Sequence, residues 1–261
     1  LLKETIENID AYDPRALMLF MAPELGRSKS QETNLTISDN LMEVPIIFEG
    51  ESDGFFNEND RIIFYGRGHS GFDVNGDNTD WNQNLYFNYN TCWMLLPDDN
   101  SIRGKRMEQT TPPDNISLTL DYGLSYFHYE NDLANLELSG LNWYGSSVAY
   151  GSSQPISTNT PNAKENVDGT IELKMKGYST SGSLNTFHSI EVHINEPNSN
   201  KIGNTISWSG NGTRTISASI PGEDLNQVGN TFFINNTSSD NNSSPYIDYL
   251  TIKYGRELIF S

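Results

Sequence analysis

Residues 53–66 read Asp-Gly-Phe-Phe-Asn-Glu-Asn-Asp-Arg-Ile-Ile-Phe-Tyr-Gly and place a turn, a polar loop and a strand in a fixed order. Asp53-Gly54 predicts a hairpin-type turn, because glycine adopts positive φ without a Cβ clash. Residues 57–60 predict a polar loop whose side chains bond to their own backbone. Residues 62–65 are apolar and predict a buried strand, which Gly66 ends.

Short apolar runs between turn-forming residues recur along the rest of the chain, as is typical of a β-sandwich or barrel. They lie at residues 41–48, 61–65, 85–96, 116–120, 171–175, 189–194, 213–220, 231–234 and 246–254. In residues 170–176 and 189–194, apolar and polar side chains alternate with the period of a strand that has one buried and one solvated face. This alternation places His193 on the solvated face. The order of strands and turns in the second half resembles a jelly roll.

The Pro112-Pro113 pair predicts a domain boundary, because proline donates no hydrogen bond to a β-ladder. We therefore expect an all-β chain with a small N-terminal β domain at residues 1–112 and a C-terminal jelly-roll-like β-sandwich at residues 113–261. Residues 235–244 consist almost wholly of Asn, Ser, Thr and Asp, which predicts a mobile loop between the last two strands.

The composition excludes several classes of protein. The 16 Lys and Arg against 34 Asp and Glu give the 261-residue chain a net charge of −18, which repels nucleic acid and anionic membranes. No run of about 18 apolar residues is present, so we expect no transmembrane helix. Cys92 is the single cysteine, which rules out an intrachain disulfide and a multi-cysteine zinc site. Both ends resemble cuts in a longer polypeptide, because no signal-peptide pattern opens the chain and a strand-like run closes it.

Five segments in order carry a resemblance to a known family. They are residues 53–66, 85–95, 104–107, 127–132 with 143–145, and 247–258. Together they resemble the region that precedes the catalytic domain in gingipain-type cysteine peptidases and in the related sortase of the type IX secretion system. The resemblance spans nearly the whole chain.

The resemblance implies a non-catalytic region of a secreted or cell-surface protein from a Gram-negative bacterium. Its expected partners are a downstream peptidase domain of the same polypeptide, which it would support, position or shield, and the secretion machinery. The family's catalytic His and Cys lie in that later domain, which nothing in this chain resembles. The position of His128 resembles a structural contact in the family.

Cys92 and the histidines predict no catalytic site in this chain. A thiol nucleophile needs a neighbouring imidazole and a low pKa. Cys92 lies beside Trp93 in an apolar strand, which predicts a buried thiol that behaves as a small hydrophobe. We therefore expect neither catalytic residues nor a bound cofactor, apart from a possible calcium ion.

The calcium prediction depends on Asp73, Asn75 and Asp77, which alternate as ligands one, three and five of an EF-hand loop do. Position six is Asn78 instead of Gly, and position twelve is Asn84 instead of Glu, so a complete EF-hand is not predicted. Two alternatives remain: a degenerate calcium loop on a β scaffold, or an Asx-turn-rich loop that bonds its own backbone.

The aromatic residues support an alternative function. Exposed Trp or Tyr on a jelly roll can stack on sugar rings, and Trp143 and Trp208 are the candidates because glycines flank both. The alternative is therefore a carbohydrate-binding or adhesive β-sandwich module, with or without a stabilising calcium ion. Glu130, Asp132 and Glu137 could also pair as the carboxylates of a glycoside hydrolase, although a solvated acidic face explains them more simply.

Overall fold

A computed structural model of the chain describes residues 8–22, 41–75, 78–84, 87–111, 120–138 and 140–259. In these residues the regular structure is β-strand with four 3₁₀ turns, which confirms the all-β prediction. No helix in this part of the chain is long and apolar enough to cross a membrane. The 3₁₀ turns are Ile9–Ala11, Pro14–Ala16, Glu51–Asp53 and Gly222–Asp224.

The chain divides into two compact units, Leu1–Asp114 and Asn115–Ser261. The predicted boundary between residues 112 and 113 lies outside the described residues. The strands of the N-terminal unit are β1 (Met18–Met21), β2 (Met42–Glu43), β3 (Ile46–Glu49), β4 (Arg61–Phe64), β5 (Gly71–Asn75), β6 (Asn78–Asn82) and β7 (Cys92–Leu95). Those of the C-terminal unit are β8 (Tyr122–Glu130), β9 (Ser153–Thr158), β10 (Gly169–Lys176), β11 (Phe187–Ile194), β12 (Lys201–Ser209), β13 (Thr213–Ile220), β14 (Asn230–Asn236) and β15 (Tyr246–Glu257).

The N-terminal unit contains one three-stranded antiparallel sheet, in the order β2-β1-β7, and the hairpins β3-β4 and β5-β6. Its core is formed by one face of β1 and β3 together with side chains from the flanking turns. The buried apolar residues are Ile9, Leu17, Leu19, Met21, Val44, Ile46, Phe48 and Phe56.

The segment 53–66 forms the second half of the β3-β4 hairpin, but the tight turn predicted at Asp53-Gly54 is wrong. Gly54, at φ +81°, instead ends the 3₁₀ turn Glu51–Asp53 inside a longer loop. The polar loop is confirmed, since the Asp60 carboxylate accepts a hydrogen bond from the backbone N–H of Asn57 at 2.8 Å. The buried strand is wrong: β4 is mostly exposed, because its paired neighbour in the described residues is β3 alone.

The C-terminal unit is a jelly roll of two four-stranded antiparallel sheets. Their orders are β8-β15-β10-β13 and β9-β14-β11-β12. Counted from one to eight along the unit, these orders are 1-8-3-6 and 2-7-4-5, the interleaving of two Greek keys. Every connection except β11 to β12 therefore carries the chain from one sheet to the other, and the jelly-roll prediction is confirmed.

The core of this unit lies between the two sheets and follows the predicted alternation in β10, where Ile171, Leu173 and Met175 are buried and Thr170 and Glu172 are exposed. Strand β11 does not follow the predicted alternation, because a register shift between Ile190 and Val192 interrupts its pairing with β12. The prediction that His193 faces solvent is wrong, because its ring lies under the loop after β11, with Nδ1 3.2 Å from the carbonyl oxygen of Ser199.

The prediction of a mobile loop at residues 235–244 is also wrong. Asn235 and Asn236 end β14, and Ser238, Ser243 and Ser244 are buried. The hydroxyl of Ser238 donates to the carbonyl of Phe187 at 2.6 Å, and Asn236 Nδ2 donates to the carbonyl of Val148 at 2.9 Å. The polar side chains thus bond to the protein interior instead of to water.

Candidate functional site

The predicted calcium residues lie in and beside the β5-β6 hairpin. Asp73 and Asp80 are cross-strand partners, as are Asn75 and Asn78, whereas Asp77 lies outside the described residues. Two like charges opposite each other on paired strands repel, and a cation would relieve that repulsion. In the described residues, no group of three or more His, Cys, Asp or Glu side chains is placed to hold a metal ion. The calcium loop therefore stays a prediction.

The two predicted sugar-binding tryptophans differ in exposure. Trp208 is 5% exposed, and its ring packs against the His188 imidazole with centroids 4.9 Å apart, so neither face is open to a ligand. Trp143 is 39% exposed, and its Nε1 donates to the carbonyl of Gly140 at 3.2 Å. Of this pair, only Trp143 presents a surface to solvent, because Trp208 lies on the inward-facing side of β12.

Cys92 is exposed, so the predicted buried thiol is wrong. It lies on β7, which is the edge strand of its sheet in the described residues and pairs with β1 on one side only. All four β7 residues are exposed, including the apolar Trp93, Met94 and Leu95. Cys92 would be buried only if a second element covered β7, and the hydrophobicity of the sequence does not show whether one does.

The exposed apolar edge at β7 is unusual for a soluble domain. Single exposed apolar residues are common, but consecutive ones on an edge strand form a template for another polypeptide. A second run follows β4, where Ile63, Phe64 and Tyr65 are all exposed. The N-terminal unit thus presents apolar side chains suited to contact with protein.

A buried polar cluster lies between β11 and the β14-β15 connection. His188 Nδ1 is 2.8 Å from the Ser243 hydroxyl, which also accepts a hydrogen bond from Asn236 Nδ2 at 3.1 Å. A serine beside an imidazole is the arrangement of a nucleophile and its base. His188 is 0% and Ser243 1% exposed, however, so a substrate has no access to the pair. We assign the cluster to stability and not to catalysis.

The same cluster predicts a pH dependence of stability. Burial lowers the pKa of His188 below its ordinary value near 6.5. At a pH between the pKa of His188 in the folded state and its higher pKa in the unfolded state, the unfolded chain binds a proton that the folded chain does not. Protonation therefore favours unfolding, and stability falls as the pH drops below about 6.5. We expect the midpoint of urea unfolding to decrease from pH 7 to pH 5 and the decrease to shrink in His188→Gln.

The carboxylates provide an internal control for this measurement. Hydrogen bonds lower the pKa of Asp240 and of Glu191, so their contribution is lost only as the pH falls below about 4.5. An undiminished loss of stability between pH 6.5 and 5 in His188→Gln would contradict the assignment to His188.

No protein-family model and no curated protein matches the sequence. Among solved structures, dimeric latent PorU from Porphyromonas gingivalis is similar over 95% of this chain, with a TM-score of 0.67 and 15% identity. This chain covers 22% of the PorU chain, and at such identity the likeness is one of fold. Two carbohydrate-binding modules match about half of the chain more weakly. The first is CBM36 in complex with calcium and xylotriose, with a TM-score of 0.34 and 12% identity over 49% of this chain and 98% of that chain. The second is a family 35 module from an environmental isolate, with a TM-score of 0.31 and 14% identity over 55% of this chain and 96% of that chain.

Proposed function

We propose that this chain is a non-catalytic accessory region of a secreted or cell-surface gingipain-like cysteine peptidase, and that it acts by protein–protein contact. The fold likeness to latent PorU, which extends over 95% of the chain, supports the proposal, as does the resemblance of the five sequence segments. The observation that carries the proposal is the run of exposed apolar residues on edge strand β7. The partner is the peptidase domain of the same polypeptide, and the secretion machinery is a further candidate.

The contact uses the edge of β7 that has no paired strand in the described part of the chain. Unpaired backbone N–H and C=O groups on an edge strand accept an additional strand, and alternate side chains then fill pockets of the partner. Trp93 and Leu95 lie on one face of β7 and Met94 lies on the other. The partner can therefore contact apolar side chains on both faces of the extended sheet. Binding of this kind positions or shields a peptidase without a reactive group of its own.

The proposal predicts a peptidase domain encoded after residue 261 and a measurable contact with it. With that domain produced separately, we expect saturable binding to this chain in calorimetry. Trp93→Glu should weaken binding at least about tenfold, because a charge on the apolar edge opposes strand addition. Leu184→Glu, at a position of the C-terminal unit that is 71% exposed, is the matched control and should leave binding unchanged.

Two results would count against the accessory role. The first is a parent gene without a cysteine-peptidase domain. The second is equal binding by Trp93→Glu and wild type, which would remove β7 from the contact.

A second candidate function is a carbohydrate-binding or adhesive module, with or without a stabilising calcium ion. The exposed surface of Trp143 and the facing carboxylates of Asp73 and Asp80 favour it. Saturable binding to a glycan array that a calcium chelator abolishes would support this candidate.

A further inference from the structure

Three segments of the jelly roll enclose a cleft of about 390 Å³. Residues 150–153 lead into β9, Asn198 lies in the loop between β11 and β12, and residues 235–238 follow the end of β14. Because β14 pairs with β9 on one side and β11 on the other, the sheet brings these segments to one place. We name it the Tyr150 cleft.

The walls of the Tyr150 cleft are held by hydrogen bonds. The backbone N–H of Gly151 donates to the carbonyl of Asn236 at 3.2 Å, and that of Asn236 donates to the carbonyl of Ser152 at 3.0 Å. On the other side, Asn235 Nδ2 donates to the carbonyl of Pro197 at 2.6 Å and ties the Asn198 loop to β14. A site built in this way loses little conformational freedom when a ligand binds.

The lining residues are uncharged, their exposed surface is about equally polar and apolar, and they include one aromatic ring. Hydroxyl groups come from Ser152, Ser153 and Thr237, and an amide comes from Asn198. Tyr150 is 49% exposed, which leaves part of its ring open. A few converging polar groups beside an aromatic side chain are the usual composition of a small-molecule site.

The Asn235 side chain holds the wall in place through its amide nitrogen. Its bond to Pro197 requires Nδ2 to be the donor and so fixes the orientation of the amide. Its Oδ1 is buried and has no hydrogen-bond partner in the described residues. Because that oxygen has almost no solvent-accessible surface, it is not open to a ligand, and Asn235 contributes to the cleft through its bond to Pro197.

We propose that the Tyr150 cleft binds a neutral sugar residue. A sugar offers hydroxyl groups that donate and accept in turn, which matches the hydroxyl and amide lining, and an apolar C–H face that stacks on the tyrosine ring. Anionic ligands are disfavoured because the lining has no cation and the chain carries a net charge of −18. Fully apolar ligands are disfavoured because they would cover the exposed Asn198 amide without bonding to it. The inference goes beyond the accessory role and does not depend on it.

The test uses the whole 261-residue chain against arrays of neutral and of sulfated or uronic-acid oligosaccharides, followed by calorimetry with the best neutral binder. We expect saturable binding of neutral sugars only. Tyr150→Ala should weaken it about tenfold or more through loss of the stacked ring, and Asn198→Ala should weaken it several-fold. Tyr65→Ala removes an aromatic ring of the N-terminal unit that is 79% exposed; it is the control and should bind as wild type does.

Circular dichroism of each variant checks that the fold is kept, since Tyr150 and Asn198 are exposed. Binding that survives Tyr150→Ala and Asn198→Ala but is lost in Trp143→Ala would overturn the proposal and assign sugar binding to Trp143. Absence of binding to every neutral sugar by the folded chain, or preference for the anionic ones, would overturn it as well. None of these results bears on binding of a peptidase domain to β7, so the two proposals fail separately.

Discussion

Phe232→Ala is expected to reduce the free energy of unfolding of the C-terminal unit by about 3–5 kcal/mol, the usual cost of removing a buried phenylalanine ring. Phe232 is 0% exposed and lies on β14, between β9 and β11, where its ring fills the space between the two sheets. Domains of this size are stable by about 5–15 kcal/mol, so the loss is a large part of the total. The decrease in the midpoint of urea unfolding measures this loss, provided that the dependence of the unfolding free energy on urea concentration is unchanged.

Phe187→Ala is the matched control for this prediction. Phe187 begins β11 in the same sheet but is 37% exposed, so its removal opens no closed cavity. We expect a loss below about 1 kcal/mol. Similar losses for the two variants would show that the inter-sheet core does not dominate the stability of this unit.

Arg106→Ala is expected to destabilise the N-terminal unit by about 2–3 kcal/mol, because it leaves charged and buried acceptors without donors. Nε and Nη2 of Arg106 lie 2.8 and 2.6 Å from Glu51 Oε2. The same guanidinium donates to the carbonyls of Leu17 at 3.2 Å and of Pro14 at 3.0 Å. One side chain thus joins the loop after β3 to the turn before β1.

Hydrogen exchange of the intact chain measures this effect, as faster exchange of the amides in residues 14–21 and 46–51. Arg61→Ala removes a more exposed ion pair, with Glu49, and should cost less than about 1 kcal/mol. Arg106→Lys keeps the charge but not the planar array of donors, so it should recover only part of the loss. Full recovery by lysine would show that charge alone, and not the shared hydrogen bonds, stabilises the unit.

Local pattern predicted the strands better than it predicted their exposure. The alternation in β10 is correct residue by residue, because period-two polarity directly records which side chains face the core. The same apolar signal was misleading at Cys92 and residues 62–65. A strand is buried only if other elements cover it, and β4 and β7 each have a single paired neighbour in the described residues.

The candidate sites were less predictable than the strands. Trp208 and Trp143 have similar glycine-rich surroundings in the sequence, yet only one is exposed. Tyr150 and Asn235 are 85 residues apart, and neither shares a motif with Asn198, so no sequence signal pointed to the Tyr150 cleft. Sheet pairing around β14 is what brings them together.

By itself the sequence determined an all-β chain with a jelly-roll second half, because strand alternation and turn chemistry are local properties. Tertiary structure alone decided which polar residues became interior ones. Residues 235–244 have the composition of a solvated loop, but Ser238 and Ser243 bond to β11, Asn236 bonds to Val148 ahead of β9, and all three are buried. Composition reports how well a segment is solvated on average, whereas burial depends on whether each polar group meets a partner, and those partners lie up to 88 residues away in the sequence.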